Sequence, residues 1–100
     1  MTAFKPLHLV VRMRALPGRG AELGEVLAAL VEPTRAEDGC LAYDLLDVEG
    51  EEGSFVFVEA WRDPAALEAH GASAHIQAAR ARYPELLDGS PEVTRAHPHG

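Results

Sequence analysis

Apolar and polar residues alternate in four stretches of this chain, and apolar residues recur at helical spacing between them. In Leu7-His8-Leu9-Val10-Val11-Arg12-Met13-Arg14, residues Leu7, Leu9, Val11 and Met13 share one face of a predicted strand. His8, Val10, Arg12 and Arg14 take the other. Pro17-Gly18-Arg19-Gly20 breaks this run. Leu23, Val26, Leu27, Leu30, Val31 and Thr34 then predict a helix with one core-facing stripe. Glu22 and Glu25 lie near its start, where the helix dipole favours acids. Pro33 disturbs its last turn, and Gly39 offers a left-handed exit.

A second strand is predicted over Cys40 to Val48, with Cys40, Ala42, Asp44, Leu46 and Val48 on one face. Leu41, Tyr43, Leu45 and Asp47 lie on the other. Glu49 to Ser54 reads as a solvated hairpin loop into a third strand, Phe55 to Trp61. Asp63-Pro64 opens a short helix, with the aspartate as N-cap and proline preorganised at the first helical position. That helix runs to His70 and stops near Gly71. A second start at Ser73 leads to Tyr83 and ends before Pro84. Glu92 to His97 predicts a fourth strand, and His97 to Gly100 a frayed tail.

The order β-α-β-β-α-β is the split βαβ, an α+β ferredoxin-like antiparallel sheet with helices on one face. The chain reads as one domain over 1–100, with its core at about 7–97. The other sheet face would carry Val10, Val56, Val58 and Leu46, too apolar to stay in water. A chain this short buries a modest core, so a second copy packed on that face is the expected remedy. A homodimer follows as an expectation.

Nine basic against sixteen acidic side chains leave a formal charge of −7, which opposes binding to nucleic acid or an anionic membrane. The single cysteine, Cys40, cannot build a disulfide framework, and a cytoplasmic location is expected. The N-terminal segment lacks a leader pattern, and the longest clearly apolar stretch, Val26 to Val31, is too short to span a bilayer.

The third strand carries the most telling chemistry. Period two places Phe55, Phe57, Glu59 and Trp61 on one face. A carboxylate buried beside aromatics is costly unless paired or hydrogen-bonded, so Glu59 is expected to line a cavity or an interface. Two bland readings stand beside this. Trp61 is core filling, and Glu59 caps an amide or pairs with Arg35.

Three ordered segments, Glu37-Asp38-Gly39-Cys40-Leu41-Ala42-Tyr43, Phe57-Val58-Glu59-Ala60-Trp61 and Ala66-Leu67-Glu68-Ala69-His70, resemble the antibiotic biosynthesis monooxygenase domain. The resemblance runs from Leu7 to Val93, and Asp38 replaces a proline common in the family. It implies a small dimeric α+β barrel, similar to quinol monooxygenases, and is shared with haem-degrading enzymes and autoinducer-processing isomerases. Under it, His70, Trp61 and Glu59 become catalytic candidates, and Tyr43, Phe57 and His75 substrate-binding ones. His70 lies one helical step from Leu67 and could act as a general base near neutral pH. The five-residue spacing to His75 misses the i, i+4 arrangement of paired ligands on one helix, so no metal site is expected.

There is no HExxH, paired-cysteine, P-loop or dinucleotide signature. Oxygenation would then be cofactor-free, which suits only substrates whose anions are electron-rich enough to reduce dioxygen, such as hydroquinones and anthrones. Haem fits less well, because His70 alone is placed as an axial ligand. Two other classes stay open. One is a non-catalytic ligand-binding or stress-associated module. The other, an isomerase of a small phosphorylated signal, is disfavoured by the acidic charge and the lack of a phosphate-binding cluster.

Overall fold

The computed structural model describes residues 5–100; residues 1–4, part of the segment read for a leader, lie outside it. The elements are β1 (Leu7–Arg14), α1 (Gly20–Ala28), α2 (Val31–Arg35), β2 (Cys40–Asp47), β3 (Ser54–Trp61), α3 (Pro64–Gly71), α4 (Ala74–Leu86) and β4 (Glu92–Ala96). The four strands form one antiparallel sheet in the order β2-β3-β1-β4. This is the ferredoxin-like α+β arrangement expected from the element order.

Register explains which side chains meet. In β1 against β3, Leu9 faces Glu59, Val11 faces Phe57 and Leu7 faces Trp61. Directly opposed residues of an antiparallel pair share a sheet face. Leu7, Leu9, Phe57 and Trp61, with Leu23, Leu27, Ile76 and Leu86 from the helices, belong to the core, and Val11 packs against it. The opposite face exposes Val10, Val58 and Leu46, and Leu41 and Val93 are exposed as well.

Three departures from the periodicity reading have a local reason. The predicted single helix is two. Pro33 has no amide hydrogen to give the carbonyl of Ala29, and its ring crowds that carbonyl. The chain therefore breaks at Ala29–Leu30, with the Leu30 amide donating to Leu27 at 3.1 Å, before α2 restarts at Val31. In α4, Pro84 lies inside the helix rather than beyond its end. Fully buried Leu86 holds that last turn, which the Leu87 amide closes on the Tyr83 carbonyl at 2.8 Å.

The third difference matters to the site. The β2–β3 register shifts between Cys40 and Ala42, so that Cys40 faces Trp61 and Tyr43 faces Glu59. Leu41 is the extra residue of a bulge. The alternation that placed Cys40 with Ala42 is thus broken. Cys40 packs against the core, and so does Tyr43. Strand β2 also ends at Asp47, one residue early.

Candidate active site

The position of His70 is set from Asp63 onward. The Asp63 carboxylate accepts from the Ala66 amide at 2.8 Å, and Pro64 follows as the first helical residue. The short helix α3 is thereby started at a fixed point and laid on the sheet by buried Ala66. Its last turn delivers His70, buried, against the fully buried Trp61, with ring centroids 4.6 Å apart. Tyr43 meets the same imidazole edge-on at 5.5 Å and stacks at 4.6 Å on Phe57.

A cleft of about 320 Å³ opens beside this aromatic group. Tyr43, Phe57, Glu59 and His70 line its inner end, with Leu9, Val11 and Met13 on the sheet side. Leu67, Ile76, Arg80 and Tyr83 close it from the helices, and Val93 and Arg95 reach it from β4. A larger depression of about 720 Å³ lies at the other end of the sheet. It is lined by turn residues, carboxylates and Phe55 and holds no histidine, so the smaller cleft is the candidate site.

Glu59 is only 4% exposed, and the Trp61 indole nitrogen donates to its Oε1 at 2.9 Å. Arg35 does not pair with it; that guanidinium goes to Asp44 at 3.0 Å and to the Tyr43 carbonyl at 3.1 Å. Burial raises the Glu59 carboxyl above its ordinary value, and the indole hydrogen bond opposes the rise. Burial, reinforced by Glu59, likewise pushes the Tyr43 phenol up, so it stays a neutral donor at the cleft wall.

Trp61 itself is absent from the cleft lining. It stands behind Glu59 and His70 and orients both. His75 does not line the cleft either. Its Nε2 donates to Glu37 Oε2 at 2.7 Å, while His70 Nδ1 donates to the same oxygen at 2.9 Å. A five-residue spacing would hold the two histidines apart only on one continuous helix. They sit instead at the end of α3 and the start of α4, and the turn between those helices folds them onto one carboxylate.

With Nδ1 as donor, the Nε2 of His70 is the nitrogen with a free lone pair. It carries no hydrogen bond among the described residues. Burial lowers the basicity of His70, and Glu37 opposes the drop through its hydrogen bond and charge. Glu37, Arg80, Tyr83 and Arg95 are site residues that the sequence pattern did not single out. Glu37 alone had a signal, as first residue of the segment ending in Tyr43.

A sheet of this topology with an acid and an imidazole at one cleft, and an indole packed behind them, defines a recognisable class. The sequence model of the antibiotic biosynthesis monooxygenase family matches residues 6–82, and the chain belongs to that family. A Bacillus subtilis relative named "Putative monooxygenase YcnE" is 37% identical over 83% of this chain and 87% of its own. The structure of PA3566 from Pseudomonas aeruginosa superimposes with a TM-score of 0.94 at 34% identity, covering 100% of both chains. That of Rv0793 from Mycobacterium tuberculosis gives 0.89 at 36% identity, covering 95% of this chain and 96% of that one. Among the described residues, no helix is long and apolar enough to cross a membrane.

Proposed function

We propose that this protein is a cofactor-independent monooxygenase for a small electron-rich aromatic, a hydroquinone or an anthrone. It would work as a homodimer joined through the open sheet face, and its lone thiol suits a reducing cytoplasm. The observation that carries the reading is the pairing of His70 Nδ1 with Glu37 at 2.9 Å, which leaves Nε2 as the acceptor beside an aromatic-lined cleft.

The chemistry is then confined to substrate and dioxygen. His70 Nε2 takes the hydroxyl or enol proton, and Glu37 steadies the imidazolium that forms. The substrate anion passes one electron to dioxygen, and the radical pair combines to a hydroperoxide. Loss of water leaves a carbonyl. One oxygen atom stays on carbon, the other departs as water, and carbon gives up two hydrogens. A hydroquinone yields a hydroxyquinone and an anthrone an anthraquinone, with no outside reductant. Phe57 and Tyr43 wall the ring, and Arg80 and Arg95 suit an oxygen-bearing substituent near the mouth.

The test is His70→Asn, whose amide can still donate to Glu37 but cannot act as a base. Oxygen uptake should fall by about 10²–10⁴-fold, with the circular dichroism spectrum unchanged. Wild-type rates in a folded His70→Asn variant would remove His70 from the mechanism.

A further inference from the structure

We propose that Glu37, His70 and His75 form a binding site for one divalent transition-metal ion. One donor atom from each lies within 4.8 Å of those of the other two, and Glu37 Oε2 stands 2.9 Å from His70 Nδ1 and 2.7 Å from His75 Nε2. Three separate elements supply them: the turn after α2, the end of α3 and the first turn of α4. Backbone hydrogen bonds fix that turn, from the Glu37 amide to the Thr34 carbonyl at 3.0 Å and from the Cys40 amide to the Glu37 carbonyl at 3.2 Å. Ser73 ties the two helices, its hydroxyl donating to the His70 carbonyl at 2.7 Å and lying 3.4 Å from His75 Nε2.

The three donors lie close enough together to converge on one ion. Bonds of about 2.0–2.2 Å to nitrogen and oxygen place neighbouring ligand atoms about 3–3.5 Å apart. The present spacings of 2.9 and 2.7 Å from Oε2 to the two nitrogens need only a small widening. No net proton has to leave. Each neutral imidazole moves its ring proton to the other nitrogen and offers the freed lone pair to the metal.

Access and donor type narrow the ion. The His75 and Glu37 side chains are 24% and 16% exposed, while His70 is 8%. An ion can therefore enter from the side away from the cleft and keep water on its remaining positions. Two imidazoles with one carboxylate suit zinc, cobalt, nickel or ferrous iron rather than magnesium or calcium.

Occupancy has a consequence that rests on the proposed function. Metal on Nδ1 leaves the His70 proton on Nε2, so the nitrogen facing substrate becomes a donor. An ion there would therefore suppress a reaction that needs His70 as base.

Binding is measured without substrate, so the site stands or falls apart from the oxygenase reading. Chelator-stripped full-length protein is titrated with cobalt(II), followed by visible absorption, and with zinc(II), followed by calorimetry. One equivalent per chain is expected, and His75→Ala and Glu37→Gln should each weaken binding by at least about tenfold. His75 is partly exposed, so its variant should fold even if the Glu37 one does not. The tail offers a rival pair, His97 and His99, and a double alanine variant there should bind as wild type does. Absence of binding, or binding lost with the tail histidines and kept in His75→Ala, overturns the site. If oxygen uptake is present, saturating zinc should abolish it and chelator restore it. Stimulation by added iron(II) would instead replace the cofactor-free mechanism while leaving the metal site in place.

Discussion

Replacing Glu59 with glutamine isolates the energetic cost of burying this carboxylate. Glu59 is 4% exposed and holds one strong hydrogen bond, 2.9 Å from the Trp61 indole. Glutamine keeps an acceptor oxygen for that indole and removes the charge. Burial has raised the carboxyl above its ordinary 4.5, so the fold binds the proton more tightly than the unfolded chain does. Stability from this group is therefore greatest below 4.5 and declines as pH climbs from there to the raised value, then stays level. Every tenfold gain in proton affinity on folding corresponds to about 1.4 kcal/mol. For a domain of this size, that amounts to roughly 6–11 °C in melting temperature. Glu59→Gln should consequently match wild type at pH 4 and melt above it at pH 8, with a flatter profile between. Thermal melts by circular dichroism across that range measure it. If the variant is instead less stable at pH 8 than at pH 4, relative to wild type, Glu59 is a net stabilising anion and its surroundings solvate charge better than its burial implies.

Gly39→Ala should cost at least about 1–2 kcal/mol for a side chain in the left-handed region. Its φ is +87°, and a Cβ there would stand 2.5 Å from that of Ala66, so chemical denaturation should show a reduced midpoint. Asp63→Ala removes the acceptor for the Ala66 amide and should lower the melting temperature by a few degrees. That amide holds the Asp63 carboxyl below 3.8, so wild type should keep this advantage above that pH and lose it as pH falls through the depressed value. Val58→Asp puts a charge in the centre of the open sheet face, opposite Val10 and Asp44. Sedimentation should show a dimer for wild type and a folded monomer for this variant; a wild-type monomer would remove the dimer.

Strands β1 and β3 were legible because apolar residues recur at every second position from Leu7 to Met13 and share a face from Phe55 to Trp61, and a turn signal bounds each end. The start of α3 was legible from Asp63-Pro64 alone, since the cap chemistry is local. Where a backbone rule met a packing demand, the outcome was not readable in advance. Pro33 ended α1 early through a clash with the Ala29 carbonyl, yet Pro84 was carried inside α4 because Leu86 is fully buried beyond it. The bulge at Leu41 left no trace in residue type, and it alone puts Cys40 and Tyr43 on the core side together.

The candidate site divides in the same way. Phe57, Glu59 and His70 follow from phase on one strand and one helix. Glu37, Arg80 and Arg95 come from other elements and meet the cleft or its histidine only after the chain closes. Trp61 shares the strand face with Glu59 but sits at its end under α3, which is why it supports the site from behind. His75 faces a carboxylate 38 positions away rather than the cleft.

Oxygen consumption by metal-stripped wild-type protein, measured against the autoxidation blank with hydroquinones such as menadiol and with an anthrone, tests the proposed activity most directly. Uptake above the blank is expected for at least one of these substrates, one dioxygen per product carbonyl formed, without added metal, flavin or nicotinamide. Rates equal to the blank across the panel, from protein that binds the same compounds in the cleft, would contradict it and leave a ligand-binding module in place of an enzyme.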